Sequence, residues 1–178
     1  MIVVTGLVVF GFLLIEARRA ARNERVQLAR GGIEPAADVY AVMRLAYPGA
    51  FLAMLAEGIL REPQAPLVLA SGAALFAVAK ALKWWAIVSL GSAWTFRVIV
   101  IPGAKLVESG PYRHLRHPNY LAVAAELLAI ALVTGARVSG PIAIVVFSAL
   151  MLRRIAVENR ALDAILRRGD LESKNLRI

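Results

Sequence analysis

The side chains that could do chemistry are concentrated in residues 108–120, ESGPYRHLRHPNY. Both histidines of the chain, His114 and His117, lie here with two arginines and two tyrosines. Guanidinium and imidazole groups suit the binding of a carboxylate, and phenol rings can stack on a base or face a cation. The chain has no cysteine, which excludes a thiolate nucleophile and a cysteine-based metal site. We therefore expect a polar binding site without a metal ion.

A second polar segment, residues 153–162 (RRIAVENRAL), follows an apolar stretch near the C-terminus. Arg154 and Glu158 are four residues apart, so they share one face of a helix. Only a short turn separates the apolar helix after the first polar segment from the one before the second, so these helices should be antiparallel neighbours. The two segments then form a polar site at the end of an apolar bundle. Such a site suits a polar cofactor that reacts with a lipophilic substrate.

The composition predicts an all-α integral membrane protein. Hydrophobic residues make up 60% of the chain and the mean hydropathy is +0.68, whereas soluble domains contain about 45–50% apolar residues. The net charge of +9 comes from basic residues that flank apolar runs. This placement indicates topology signals and contact with anionic membrane lipids, and it argues against nucleic acid as a partner.

The apolar runs predict about five transmembrane helices in one domain, residues 1–178. The spans cover residues 1–15, 38–60, 67–90, 119–134 and 141–152. The arginine-rich residues 16–30 are expected to form an interfacial helix or a purely topogenic basic loop. Residues 91–107 should be an extended connector, and the last helix should extend into the cytoplasm to about Leu166. Residues 1–60 would form the scaffold with the interfacial helix, and residues 104–166 the cofactor-binding core.

The distribution of arginine and lysine predicts the orientation. With five spans, the connections after spans one and three share one side with the C-terminal tail, and that side receives nearly all basic residues. The opposite loops contain only Arg61 and Arg137. The positive-inside rule then places the N-terminus outside and both polar segments in the cytoplasm.

Residues 106–120 (LVESGPYRHLRHPNY) and 154–162 (RIAVENRAL) together resemble the isoprenylcysteine carboxyl methyltransferase family, including its bacterial branch. The family pattern is L-V-x-x-G-x-Y-x-x-x-R-H-P-x-Y, then a pair of spans, then R-I-x-x-E-E-x-x-L. The matching residues are Gly110, Tyr112, Arg116, His117, Pro118 and Tyr120 in the first part and Arg154, Ile155, Glu158 and Leu162 in the second. The N-terminal part of the chain agrees with the family only in its membrane spans.

The resemblance implies an enzyme of a bacterial inner membrane that uses S-adenosylmethionine and releases S-adenosylhomocysteine. It implies that His117, Pro118 and Tyr120 line the cofactor pocket and that Glu158 holds a polar part of the cofactor. The candidate cofactor-binding residues are therefore Tyr112, Arg116, His117, Pro118, Tyr120, Glu158 and Asn159. Their chemistry agrees: Arg116 or His117 suits a carboxylate, and a glutamate suits ribose hydroxyls or an ammonium.

Two departures from the family pattern bear on the acceptor. Asn159 stands where the family has a second glutamate, and the usual G-x-E-Y-x-x-Y continuation is missing. The form with glutamate followed by asparagine resembles bacterial members of the family that methylate lipophilic small molecules. The resemblance therefore implies a long-chain phenol, a pyrone or an isoprenoid-like compound as the acceptor in preference to a prenylated protein. The alternatives are N-methylation of a phospholipid head group and, from another class, a non-catalytic membrane scaffold.

Candidate catalytic roles fall to Glu126 and Arg154. Glu126 lies well inside the fourth apolar segment, where an ionisable residue is a functional candidate. It could orient the acceptor or act as base for a phenolic hydroxyl, or it could be a buried carboxylate paired with Lys80, Lys83 or Arg97. Because lysine favours the membrane boundary, Lys80 and Lys83 are themselves expected to be interfacial anchors.

Overall fold

The computed structural model describes the backbone of residues 1–35, 38–103 and 107–175, and the side chains of these residues as far as Ala161. Within these ranges the chain is α-helical, with two short 3-10 turns at Gly91–Ala93 and Gly110–Arg113. The five helices are α1 (Ile2–Ala29), α2 (Tyr40–Ile59), α3 (Pro66–Leu90), α4 (Pro118–Thr134) and α5 (Ser139–Asn175). The all-α prediction is confirmed, and α2, α3 and α4 begin and end within about two residues of the predicted bounds.

The first helix differs from its prediction. Residues 16–29 continue α1 without a break, so a separate interfacial helix is not confirmed. The physical reason is local. α1 contains no glycine or proline after Gly11, and the alanines, arginines and glutamates of residues 16–29 are good helix formers. The first interruption comes at Gly31, whose φ of 81° is typical of glycine.

Among the described residues, three helical segments are long and apolar enough to cross a membrane, namely residues 40–59, 66–93 and 139–161. α4 is apolar but has 17 residues. α1 carries Glu16, Arg18 and Arg19 directly after its apolar part. The prediction of membrane helices is thus confirmed for three segments, while the count of five spans stays a prediction. The predicted extension of the last helix is present, because α5 continues through Glu158 to Asn175.

The connections lie at two ends of the helical bundle. At one end, Asn23 of α1 donates hydrogen bonds to the carbonyls of Gly91 and Trp94, and Ile33 pairs with Val100 in an isolated antiparallel bridge. At the other end, Glu57 of α2 accepts hydrogen bonds from the amides of residues 137–139 at the start of α5. The arginine-rich part of α1, the connector after α3 and the start of α4 therefore share the first end.

One apolar cluster of the interior is made of buried side chains from four helices. Val9, Phe51, Leu127 and Phe147 are buried in one apolar cluster to which α1, α2, α4 and α5 all contribute. α3 packs closely against α4: a Cβ atom added at Gly72 would lie 2.8 Å from a methyl of Val133. Small residues at such positions let helices approach in a membrane, where packing replaces the hydrophobic effect between helices.

Candidate functional site

The 3-10 turn that precedes α4 is held against the end of α3. Gly110 has a φ of 60°, and a Cβ atom there would lie 2.0 Å from Ser89 Oγ, so the turn requires glycine on both grounds. Residues 108–110 and 112–116 line an open cleft of about 810 Å³, and Tyr112 and Arg116 belong to that lining. Burial raises the pKa of the Tyr112 phenol, and the negative charge of Glu158 raises it further. The two polar segments are therefore close enough to interact electrostatically.

α4 begins at the histidine–proline pair of the first polar segment. Pro118 occupies the first turn, where its missing amide costs no hydrogen bond. His117 is the N-cap residue, but its side chain makes no capping hydrogen bond. Its ring instead lies beside the Tyr120 ring, with the centroids 5.3 Å apart. The imidazole thus faces the phenol of the same segment.

Tyr120 is where the two polar segments meet. Its hydroxyl accepts a hydrogen bond from Arg154 Nε at 3.0 Å and lies 3.2 Å from Glu158 Oε2. Arg154 is buried, while Glu158 is half-buried. We call Asp38, His117, Tyr120, Arg154 and Glu158 the Tyr120 cluster. The Tyr120 cluster therefore joins three candidate cofactor-binding residues, one candidate catalytic residue and one residue that the sequence analysis did not single out. It lies at one end of the bundle.

The new residue is Asp38. Its Oδ1 atom lies 3.4 Å from Arg154 Nη1, and its carboxylate also accepts hydrogen bonds from the amides of Tyr40 and Val98. The sequence offered one signal for it, an acidic residue directly ahead of an apolar span. That signal also fits an ordinary helix start, which is how the segment was interpreted.

Two candidate cofactor-binding residues, Arg116 and Asn159, lie next to members of the cluster in the sequence. Arg116 and Asn159 are exposed, the first on the open cleft and the second beside Glu158 on α5. The side chain of Leu162, the last residue of the family pattern, lies outside the described part of the chain.

A second polar group is buried inside the bundle. Glu16 of α1, Lys80 and Lys83 of α3 and Glu126 of α4 form a ring of four ion pairs, which we call the buried quartet. Glu16 is 2.7 Å from both ammonium groups, and Glu126 is 3.1 Å from Lys80 and 3.3 Å from Lys83. Their side chains are at most 8% exposed. The phenol of Tyr47 from α2 also donates a hydrogen bond to Glu126.

The quartet corrects the sequence interpretation of the two lysines. Lys80 and Lys83 were expected to anchor α3 at the membrane boundary, but both are buried against carboxylates. Of the partners considered for Glu126, the structure pairs it with these two lysines, whereas Arg97 pairs with Glu34 at 2.9 Å. Glu16 was missed because it directly follows an apolar run and precedes arginines, which is typical of a span end.

Comparison with known proteins agrees with this class of helical membrane protein. The model of the isoprenylcysteine carboxyl methyltransferase (ICMT) family matches residues 72–164. The chain is 32% identical to the uncharacterized protein YpbQ of Bacillus subtilis (strain 168) over 144 residues, which is 81% of this chain and 86% of that protein. It is 22% identical to an uncharacterized protein of Haemophilus influenzae (strain ATCC 51907 / DSM 11121 / KW20 / Rd) over 80% of this chain and 83% of that protein. No solved structure matches.

The apolar helices and the polar cluster at their end define a membrane-embedded protein with a candidate binding site at one surface. The chain belongs to the isoprenylcysteine carboxyl methyltransferase family. Membership indicates an integral membrane protein with methyltransferase activity, in a family that uses S-adenosylmethionine. Both segments that suggested the family, residues 106–120 and 154–162, lie within the matched region.

Proposed function

We propose that this protein is a membrane methyltransferase that transfers a methyl group from S-adenosylmethionine to a carboxylate or hydroxyl of a lipophilic small molecule. The observation that carries the proposal is the meeting of both family segments at the Tyr120 hydroxyl, 3.0 Å from Arg154 Nε and 3.2 Å from Glu158 Oε2. This contact brings together residues that the family resemblance assigns to the cofactor, although 38 positions separate Tyr120 from Glu158.

The residues of the Tyr120 cluster fit the polar groups of this cofactor. Glu158 is half-buried, and only one of its oxygens is hydrogen-bonded by the residues that the structure describes. Its carboxylate can therefore accept hydrogen bonds from ribose hydroxyls or from the cofactor's ammonium. His117 and Tyr120 present aromatic rings to adenine or to the sulfonium. Tyr112 and Arg116 line the adjoining cleft, where the guanidinium suits a carboxylate.

When bound, S-adenosylmethionine supplies an activated methyl group, and transfer to an acceptor oxygen leaves S-adenosylhomocysteine. The protein's contribution to such a displacement is chiefly to orient the two reactants and to exclude water. Pro118 fixes the first turn of α4, and the aromatic contact between His117 and Tyr120 restricts both rings. Arg154, which bonds to Tyr120 and Asp38, is proposed to hold the polar end of the acceptor or the cofactor in register.

The acceptor is proposed to be lipophilic because the cluster lies at the end of an apolar helical bundle. Asn159, in place of the family's second glutamate, favours a long-chain phenol, a pyrone or an isoprenoid-like molecule. An acceptor carboxylate is already ionised at neutral pH and needs no base, whereas a phenol benefits from one. Glu126 remains the candidate base for a phenol, but its two ammonium partners favour the alternative of an ion-paired structural carboxylate.

The proposed orientation has the N-terminus outside and the Tyr120 cluster in the cytoplasm, where S-adenosylmethionine is available. It is supported by the shared end of the bundle, which carries the arginine-rich part of α1 together with the cluster. The protein is proposed to reside in the bacterial inner membrane.

Calorimetry with S-adenosylhomocysteine tests the cofactor. We expect the detergent-solubilised protein to bind it near micromolar affinity, and His117→Ala to weaken binding by about tenfold or more through loss of ring contact. Leu152→Ala on the exposed apolar face of α5 is the matched control and should bind as the parent does. Absence of binding by the parent would favour the non-catalytic scaffold.

Labelled S-adenosylmethionine and a native lipid extract test the acceptor. The protein should transfer label to a compound that partitions into organic solvent, and base hydrolysis should release the label if the product is an ester. Label on the nitrogen of a phospholipid head group would support the alternative N-methyltransferase and contradict O-methylation.

A further inference from the structure

Asp38 lies in the connection between α1 and α2, outside the residues 72–164 that match the family. Two backbone groups fix its carboxylate. Oδ1 accepts a hydrogen bond from the amide of Tyr40 at 3.1 Å, and Oδ2 accepts one from the amide of Val98 at 2.9 Å. The first amide belongs to the start of α2 and the second to the connector after α3. Asp38 is therefore held by two parts of the chain that are separate from α5.

The same carboxylate holds the guanidinium of Arg154. Nη1 lies 3.4 Å from Oδ1, and the two side chains are only 9% and 13% exposed, so salt and water screen this ion pair weakly. A guanidinium is a rigid planar fork, so a partner at Nη1 also restricts the direction of Nε–H. That Nε donates a hydrogen bond to the Tyr120 hydroxyl.

The direction of the next hydrogen bond follows from the donor types. A guanidinium can only donate, so the Tyr120 oxygen is the acceptor toward Arg154. The hydroxyl proton of Tyr120 is then available for Glu158 Oε2, which lies 3.2 Å away. Arg154 therefore donates hydrogen bonds both to Asp38 and to Tyr120, and Tyr120 donates in turn to Glu158.

Asp38 also decides which carboxylate Arg154 takes as its partner. Arg154 and Glu158 are one helical turn apart, a spacing at which opposite charges commonly pair. Among the residues that the structure describes, Arg154 forms its ion pair with Asp38, and none is found between Arg154 and Glu158. Among the described side chains, Glu158 is thus left without a cationic partner at ion-pair distance.

We propose that Asp38 is a positioning residue for the cofactor site, which keeps Arg154 away from Glu158 and so leaves the Glu158 carboxylate to Tyr120 and to the bound cofactor. The inference rests on the proposed function, because it requires S-adenosylmethionine to bind beside Glu158. Without the charge at Asp38, Arg154 would turn to Glu158 and occupy the carboxylate that the ammonium or ribose needs.

Asp38→Asn tests the inference through the affinity for S-adenosylhomocysteine. We expect the dissociation constant to rise about tenfold, as for the loss of one hydrogen bond to a charged group. The unfolding temperature should fall as well, because asparagine breaks a largely buried ion pair and has a single oxygen for the two backbone amides. Asp38→Glu keeps the charge and should recover part of the affinity. Glu34→Gln is the matched control. Glu34 lies in the same connection as Asp38, but it pairs with Arg97 and not with Arg154. This substitution should leave the affinity unchanged.

A double-mutant cycle of Asp38→Asn with Arg154→Met distinguishes a positioning role of Asp38 from a purely structural one. In that background Asp38→Asn should cause no further loss of affinity, whereas an additional loss would mean that Asp38 acts through Tyr40 and Val98 and would overturn the inference. If Asp38→Asn does not fold, Arg154→Lys carries the test, because lysine lacks the fork. It should also weaken binding about tenfold, and parent-like affinity would overturn the inference.

The two levels of failure are distinguishable. If the parent protein does not bind S-adenosylhomocysteine, the proposed function is wrong and the cofactor site with it. If the parent binds and Asp38→Asn binds equally well, only the role of Asp38 is wrong.

Discussion

Replacing Glu126 with glutamine should destabilise the protein strongly, because it removes one charge from a ring of four. Glu126 and Glu16 each contact both ammonium groups, so two negative and two positive charges balance inside the bundle. Glutamine has nearly the same shape and can still hydrogen-bond to Tyr47. The substitution therefore isolates the effect of charge, leaving two lysines with one carboxylate between them.

The distances set the magnitude of the effect. Contacts of 3.1 and 3.3 Å are each worth about 5 kcal/mol at an effective dielectric constant of about 20, before the cost of desolvation. Measured losses for breaking one buried pair are smaller, about 3–5 kcal/mol, because the remaining groups relax. We expect a loss in this range, equivalent to a fall in unfolding temperature on the order of 10 °C.

Thermal unfolding of the detergent-solubilised protein, followed by circular dichroism, measures the effect. Arg61→Gln is the control, since it removes an ion pair with Glu57 in which Arg61 is 38% exposed and should cost about 1 kcal/mol or less. Adding Lys83→Met to Glu126→Gln restores charge balance and should recover most of the lost stability.

Two results would refute this reasoning. A Glu126→Gln variant within about 1 kcal/mol of the parent would show that the quartet is not a charge-balanced unit. Strict additivity of Glu126→Gln and Lys83→Met would show that the two residues are not coupled. A turnover assay tests whether Glu126 also acts as a base. Full methyl transfer by the folded Glu126→Gln variant would exclude that role.

Of four further predictions, three concern the surface of the bundle and one concerns its orientation in the membrane. Gly110→Ala should lower the affinity for S-adenosylhomocysteine in calorimetry, because the new Cβ would displace Ser89 and shift the turn; unchanged affinity would contradict the close packing. Tyr112 has a raised pKa and stays protonated to higher pH when folded, so its contribution to stability is complete below pH about 10 and is lost above it. Unfolding at pH 9 to 11 should therefore depend less on pH in Tyr112→Phe. Glu57→Gln should lower the unfolding temperature, because the side chain would bind the amides that begin α5 more weakly. An unchanged unfolding temperature would show that water replaces the lost hydrogen bonds. A phosphatase fused to the C-terminus should be inactive in cells while a fluorescent protein there is bright; the opposite pattern would reverse the topology.

Local sequence patterns predicted most of the fold. Apolar runs interrupted by proline, glycine and charge gave α2, α3 and α4 nearly their observed bounds, since each signal acts within a few residues. The interfacial helix could not be separated from α1 on the same basis. The continuity of α1 through residues 16–29 follows from local propensity, whereas the hydrogen bonds of Asn23 and Gln27 to the connector and the ion pairs of Glu16 place this part of α1 in the bundle.

The candidate site, like the fold, could be predicted from the sequence only in part. The sequence by itself determined the residue types and spacing around His117 and Tyr120, the helical face shared by Arg154 and Glu158, and the membership of a membrane methyltransferase family. Only the tertiary structure decided that Asp38 completes the Tyr120 cluster and that Lys80 and Lys83 are shared between the carboxylates of Glu126 and Glu16. The physical reason is that a charge becomes tolerable inside an apolar bundle only beside an opposite charge, and those partners lie 43 to 116 positions apart along the chain.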